Sequence, residues 1–235
     1  MLVQWDSLPD TLKNDTVRLY YEKLEAKKGG LIAKRLFDIV VSAFMIAILS
    51  PVLLLLAILI KADSKGPVFY RQERVTAANR SFRIFKFRTM VQNADQIGAL
   101  ITAEKDPRIT KMGNRLRKCR LDELPQLFNV LKGEMTFVGT RPEVRKYVDA
   151  YTDEMQATLL LPAGITSLAS IYYKDEDEIM ERYIAAGSTV DEVYIQHVLP
   201  EKMKYNLEYL RSFRFFGDIK LMWKTAISCL LYTSL

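Results

Sequence analysis

Residues 39–60 read IVVSAFMIAILSPVLLLLAILI, an apolar run broken near its middle by Ser50-Pro51. The run is about 22 residues long, about 33 Å at the helical rise, which is enough to cross a hydrocarbon core if it is straight. Pro51 opposes a straight helix: it has no N–H for the carbonyl four residues back, and its ring crowds that carbonyl. Lys34 and Arg35 precede the run, and Lys61, Lys65, Arg71 and Arg74 follow it. Lys and Arg beside membrane segments favour the cytoplasmic side, so a single span would strand one basic flank on the far face. A helix–break–helix that enters and leaves on the same face resolves the conflict; hydropathy without the flanks reads as an ordinary kinked transmembrane helix. Both readings put the chain at a membrane.

The rest of the chain is not membrane-like. It has 235 residues, with 34 Lys and Arg against 28 Asp and Glu, a net charge of +6 and a pI near 9.2. That balance points to acidic partners: anionic lipid, a phosphorylated substrate or nucleic acid. The stretch beyond the apolar run is long enough for one globular domain with a modest core. Cys119 and Cys229 make no disulfide framework, so a reducing compartment is expected. A cleavable signal peptide is not expected, because the apolar run starts late and no small-residue cleavage site follows it. The sole histidine, His197, excludes a His-based triad. Without a G-x-x-x-x-G-K-[ST] loop, a G-x-G-x-x-G turn or a Cys/His cluster, P-loop NTPases and Rossmann dehydrogenases are excluded.

Three regions are expected: an N-terminal surface helix in 1–33, a re-entrant membrane helix in 34–62 and a cytosolic domain in 63–235. Asp10 can cap a helix over 10–28, with Gly29-Gly30 ending it. Residues 68–70 and 82–87 read as strands of a small hairpin turning at 79–81, the second alternating apolar and basic side chains. Helices are expected over 90–102, over 144–161, over 196–210 and over 218–227. The second ends in Leu159-Leu160-Leu161-Pro162, an apolar patch able to lie at the bilayer surface. The acidic stretch 175–181 reads as a solvated helix face. Around Trp223, core packing and interfacial anchoring are both open. The class is α+β, mainly helical, with amphipathic interfacial helices packed on one cytosolic domain.

The chemistry concentrates further along. Residues 105–120 carry Lys105, Arg108, Lys111, Arg115, Arg117, Lys118 and Arg120 against one acid, Asp106. Then comes LDELPQLFN over 121–129, with Asp122 and Glu123 adjacent. Helical neighbours point about 100° apart, so the two carboxylates can address one ligand only near a helix start or bend. Pro125 supplies such a boundary, or marks the first turn of a helix capped by Asp122. Carboxylates among arginines stay ionised and can hold Mg²⁺, which takes oxygen ligands and shares them with phosphates. Phosphoryl chemistry is one reading; a capping Asp with an ion pair is the other. In 136–142, a short strand delivers Arg141 at a Gly-Thr-Arg-Pro turn, suited to gripping phosphate oxygens or to a purely structural bond.

Together these residues closely resemble the monotopic phosphoglycosyl transferases, the bacterial sugar transferase family that starts lipid-linked glycan assembly. The likeness covers roughly 34–145 and extends more weakly to the C-terminus. Its motifs are KRLFD (34–38), Ser50-Pro51, GPVFYRQER (66–74), KFRTM (86–90), LDELPQLFNV (121–130) and VGTRP (138–142). Each is weak singly; all in this order are highly specific. The resemblance implies a re-entrant helix broken at Ser50-Pro51 under a domain facing the cytoplasm, on the bacterial inner membrane. It also implies a two-step reaction. Asp122 attacks the β-phosphorus of a UDP-sugar, releasing UMP, and a polyprenol phosphate, undecaprenyl in most bacteria, then takes the phosphosugar. Carried over, Asp122 is nucleophile and Mg²⁺ ligand, and Glu123 its acid/base or metal partner. Lys86, Arg88, Arg117 and Arg141 become phosphate contacts, with Gln126 nearby. The implied partners are UDP-sugar, polyprenol phosphate and membrane lipid, not nucleic acid, with a homodimer left open.

The chain departs from the family pattern in places. Thr140 stands where members often have Pro, and Pro162-Ala163-Gly164-Ile165-Thr166 where they have Pro-Gly-Ile-Thr. The tryptophan frequently found after that turn is missing. These differences touch sugar specificity, not the paired acids. The competing reading is a non-catalytic, membrane-tethered module that binds anionic lipid or nucleic acid through 105–120. The adjacent acids, repulsive on a polyanion-binding face, speak against it. An inactive scaffold homologue would have no need of the intact acids.

Overall fold

The computed structural model of the chain describes residues 1–94, 106–173 and 176–232. Asp10 opens only a short 3-10 turn, not the helix expected over 10–28. The helix proper, α1 (Asp15–Glu25), starts where the Asn14 side chain accepts from the Val17 N–H at 2.8 Å, satisfying one of the orphan donors of the first turn. Val17, Tyr20, Tyr21 and Leu24 form its buried face.

Gly29 and Gly30 do not end a helix. They lie in the first turn of α2 (Lys28–Asp63), a 36-residue helix that contains the whole apolar run, so the boundary expected at 33/34 falls inside it. Glycine disfavours a helix by about 1 kcal/mol, but packing outweighs that here. Leu31, Lys34, Asp38 and Ser42 recur at helical spacing and are all buried against the domain. Their contacts explain the KRLFD segment. Lys34 Nζ donates to the Val138 carbonyl at 2.7 Å and to Asp218 at 2.5 Å. Arg35 donates to the carbonyls of Val130 and Leu131, while Phe37 meets the rings of Phe137 and Phe215 edge-on. Asp38 accepts from the Thr136 hydroxyl at 2.7 Å and from the Phe137 N–H at 3.3 Å.

Beyond Ser42 the helix turns outward to its surroundings: Phe44, Ile48, Leu54, Leu55 and Ile58 are all exposed. By length and composition it could cross a membrane. At its middle, the absent N–H of Pro51 leaves the Ala47 carbonyl without its helical donor. The Ser50 hydroxyl donates to that same oxygen at 2.8 Å. Ser50 thus serves the acceptor that Pro51 orphans, which matters where no water can do so.

After α2 come β1 (Phe69–Thr76) and β2 (Arg80–Phe87), an antiparallel pair with Phe69 opposite Phe87 and Thr76 opposite Arg80. The first strand runs longer than the expected 68–70, and its turn, 77–79, comes two residues earlier than expected. The helix expected over 90–102 lies largely outside the described residues; Met90 itself bridges to Ile109. Then follow α3 (Lys111–Lys118), α4 (Gln126–Lys132) and β3 (Met135–Val138), which pairs in parallel with β4 (Ala163–Thr166).

The amphipathic helix expected over 144–161 is instead a single turn, Arg145–Val148, and a 3-10 segment, Met155–Leu160. Leu159, Leu160 and Leu161 do not reach a bilayer; they are buried in the main core with α1 and β3, where each stabilises by about 1.5–3 kcal/mol. A second lobe follows: α5 (Leu168–Tyr172), α6 (Glu176–Ala185), the short α7 (Val190–Val193), a π turn at Tyr194–Val198 and α8 (Leu199–Ser212). The last helix, α9 (Phe215–Tyr232), leaves Phe216, Trp223 and Ile227 exposed, so Trp223 is not a core residue. The class is mainly helical with two small two-stranded sheets.

Candidate active site

The dyad sits in a joint between two helices. Arg120 adopts φ 55°, ψ 19°, a left-handed conformation costing a non-glycine residue of order 1 kcal/mol. It swings the chain out of α3 into the 3-10 turn Leu121–Glu123, which presents both carboxylates ahead of α4. Pro125, not Asp122, occupies the N-cap of α4. The bend required for adjacent acids to serve one ligand is therefore present. Upstream, α3 is seated by Gly113, where an added Cβ would meet the Thr89 carbonyl oxygen at 1.9 Å.

Cations converge on this turn from three elements. From β2, Lys86 Nζ donates to Glu123 at 2.8 Å. From α3, Arg117 is held by a bond from Nε to the Thr89 hydroxyl at 3.0 Å. Arg141 arrives after β3, through a turn shaped by two glycines. Thr140 O accepts the Gly164 N–H at 2.7 Å, and a Cβ on Gly164 would meet the Gly139 nitrogen at 2.3 Å. Only a bare backbone lets the β3 and β4 ends approach so closely.

These neighbours split the two acids. Burial, and then the charge of Glu123, push the Asp122 carboxyl above its ordinary range against the pull of Lys86 and Arg117. Burial alone would raise Glu123 as well, but Lys86, Arg141 and Arg120 outweigh it and hold that carboxyl at about 2. Environments that push two titratable groups apart assign them different roles. Glu123 is held as an anion bonded to Lys86, and Asp122 is the more basic of the two carboxyls.

The remaining site residues fall on either side of this group. Gln126 is buried at the first position of α4, one turn past the dyad. Arg88 points elsewhere: its guanidinium donates to the Ser64 carbonyl at 2.8 Å, to the Ser64 hydroxyl and to the Lys65 carbonyl. As placed, it clamps the end of α2. Sequence reasoning missed the polar layer behind Arg141, where Glu143 accepts from the Tyr194 hydroxyl at 2.7 Å and Arg74 donates to the Pro142 carbonyl at 3.1 Å. A carboxylate two residues after Arg141 was the available signal; no local pattern announces Tyr194. Among the described residues no group of three or more His, Cys, Asp or Glu forms a cage for a metal. Mg²⁺ needs no such cage, since one or two carboxylates plus substrate phosphates and water suffice; Asp122, the acid without a lysine on it, fits that role.

Residues 30–231 match the family model described as bacterial sugar transferase. The chain is 37% identical over 195 residues to the UDP-N-acetylgalactosamine-undecaprenyl-phosphate N-acetylgalactosaminephosphotransferase of Aeromonas hydrophila, covering 82% of this chain and 42% of that protein. It is 34% identical over 202 residues to the UDP-glucose:undecaprenyl-phosphate glucose-1-phosphate transferase of Klebsiella pneumoniae, covering 83% and 40%. With the exopolysaccharide production protein ExoY of Rhizobium meliloti it shares 30% identity over 212 residues, 84% of each chain. The chain thus spans about two fifths of the length of the first two relatives and most of the third.

Proposed function

The chain belongs to the bacterial sugar transferase family, and from that premise we propose that it transfers a phosphosugar from a UDP-sugar to a polyprenol phosphate, releasing UMP. The observation that carries this reading is the adjacent pair Asp122 and Glu123 presented by one 3-10 turn, with Lys86 bonded to Glu123 at 2.8 Å and the charges of Arg117 and Arg141 acting on the two carboxyls. An Asp122 carboxylate oxygen attacks the phosphorus that bears the sugar. The bond from that phosphorus to the bridging oxygen breaks, UMP leaves with the electron pair, and the phosphosugar remains on Asp122 as an acyl phosphate. An oxygen of the polyprenol phosphate then attacks the same phosphorus, giving the polyprenyl-diphosphate-sugar and freeing the carboxylate. Arg117 and Arg141 bind the diphosphate and screen it from the two acids. Lys86, fixed by Glu123, lies close enough to Asp122 to steady its anion. Mg²⁺ bound at Asp122 would neutralise charge on the transferring group.

The same reading puts the protein on the cytoplasmic face of the bacterial inner membrane with α2 re-entrant. Its support is that both flanks of the apolar run are fastened to the domain near one end of β2. Arg35 bonds the Val130 carbonyl of α4, beside Asn129, whose side chain accepts from the Phe85 N–H of β2; Ser64 accepts from Arg88, the residue after β2. Phe85 and Arg88 are about 10 Å apart along an extended chain and each flank reaches its anchor through side chains, whereas a straight helix from residue 35 to residue 64 would span about 44 Å. A bend at Pro51 would fit the helix to these anchors and leave both basic flanks on one side. The product begins a lipid-linked glycan, such as an exopolysaccharide. A panel of UDP-sugars with undecaprenyl phosphate, read out as UMP, tests the function: release dependent on one sugar supports it, and no release with any of them removes it.

A further inference from the structure

Between α5, α8 and α9 lies a cleft of about 260 Å³, below the roughly 300 Å³ at which pockets for drug-sized ligands begin. Arg214, Lys220 and Lys224 rim it, over Leu168, Tyr172 and Leu221. The one acid in its lining, Asp218, is committed to Lys34 and Tyr209. Lys224 donates to the Tyr172 hydroxyl at 2.6 Å and keeps its remaining N–H groups for another acceptor. Among the described residues no carboxylate pairs with any of the three cations. Positive charge gathered in a small cleft selects an anion.

The same helix carries an exposed apolar stripe. Phe216 and Trp223 are 80% and 67% exposed, and Ile227 is exposed with them. With Lys220 they recur at the four- and three-residue spacing of one helix face, so stripe and cleft adjoin along α9. A tryptophan beside lysines whose stems can lie along apolar surface is the pattern of a helix in the headgroup layer. α9 is also tied to α2 where that helix already exposes apolar side chains. Phe215 meets Phe37 at 5.9 Å and Asp218 holds Lys34, in the same turns as the exposed Leu36 and Val40. We propose that the cleft holds the headgroup phosphate of an anionic glycerophospholipid, whose acyl chains pass along the Trp223 stripe into the bilayer. A zwitterionic headgroup would bring its own ammonium against Arg214, Lys220 and Lys224, and is disfavoured. Sugar transfer plays no part in this role.

The test uses the full chain with Trp5→Phe, which leaves Trp223 as the only tryptophan and keeps a ring against Tyr21. It is placed in nanodiscs of phosphatidylcholine with a minor share of phosphatidylglycerol, the same amount of bromine being carried by one lipid or the other. Bilayer charge is then equal in both arms, and only the neighbours of Trp223 are read. Bromine on phosphatidylglycerol should quench Trp223 about fivefold more effectively, the effect of one cation beside an anionic lipid. Arg214→Gln, Lys220→Gln and Lys224→Gln together should bring the two lipids level, and Lys220→Gln alone should lower the preference. Lys111→Gln, Arg115→Gln and Lys118→Gln, which remove three exposed cations of α3, should leave it intact. Thermal unfolding checks that each variant is folded. Equal quenching in the parent protein, no quenching by either lipid, a preference that survives the first set or one that is lost with the second would overturn the proposal. So would displacement of the brominated phosphatidylglycerol by a trace of undecaprenyl phosphate, which would give the cleft to the acceptor. UMP release enters none of these arms, so their failure leaves the proposed transfer untouched.

Discussion

Replacing Asp218 by Ala removes one half of the ion pair that bolts α2 to the domain. Lys34 and Asp218 are 3% and 4% exposed, and the Lys34 ammonium would then keep a single acceptor, the Val138 carbonyl at 2.7 Å. Tyr209, bonded to Asp218 at 3.2 Å, likewise retains only Val138, at 3.1 Å. Stranding one member of a buried pair costs about 3–5 kcal/mol. Burial pushes the Asp218 carboxyl up despite Lys34, so the pair is incompletely compensated, and about 3 kcal/mol is the better figure. For a chain of this size that lowers Tm by about 6–12 °C. The assay is thermal unfolding in detergent, followed by tryptophan fluorescence. Lys34→Met with Asp218→Leu should recover most of the loss, because paired apolar replacements of a buried ion pair are close to neutral. A single variant within about 2 °C of wild type, the least that 1 kcal/mol would produce, would refute the reasoning. So would a double variant as unstable as the single one.

Asp122→Asn should lower UMP release by several orders of magnitude while leaving Tm nearly unchanged, since the amide keeps the shape but is no nucleophile; near-normal turnover would dismiss the assignment. Chelation of divalent metal should stop turnover and Mg²⁺ restore it, with metal-independent UMP release as the contrary result. Cysteines at Gly30 and Ser64 should both react with a reagent confined to the cytoplasmic side; labelling from opposite sides would establish a spanning helix. Replacing Ser50-Pro51 with Leu-Leu restores the backbone ladder and removes the break, so the two labels should separate across the membrane and activity should fall.

The parts of the fold legible in the sequence are those written in local pattern. The apolar run, the alternation 82–87 and the acids after a basic stretch each announce themselves within a dozen residues. Tertiary contact decided the others. Gly29 and Gly30 stay helical because Leu31, Lys34 and Asp38 pin the following turns to the domain. The β4 strand is four residues long and pairs with β3 across a large sequence separation, so no hairpin turn betrays it. Leu159, Leu160 and Leu161 read as a membrane patch only until the elements packed on their segment are known, α1 and α8 among them. Within the site, Lys86 bonds Glu123 at 2.8 Å. The commitment of Arg88 to the end of α2 and the left-handed turn at Arg120 depend on geometry that residue spacing does not carry.

The most direct test of the central claim is intact-mass and peptide analysis of the protein mixed with an accepted UDP-sugar and Mg²⁺ in the absence of lipid. The account predicts a burst of UMP no larger than one per active enzyme and a mass increment of one phosphosugar on the peptide holding Asp122. Hydroxylamine should cleave the adduct, and undecaprenyl phosphate should discharge it. UMP release that needs the lipid from the first turnover, with no adduct on Asp122, would contradict it.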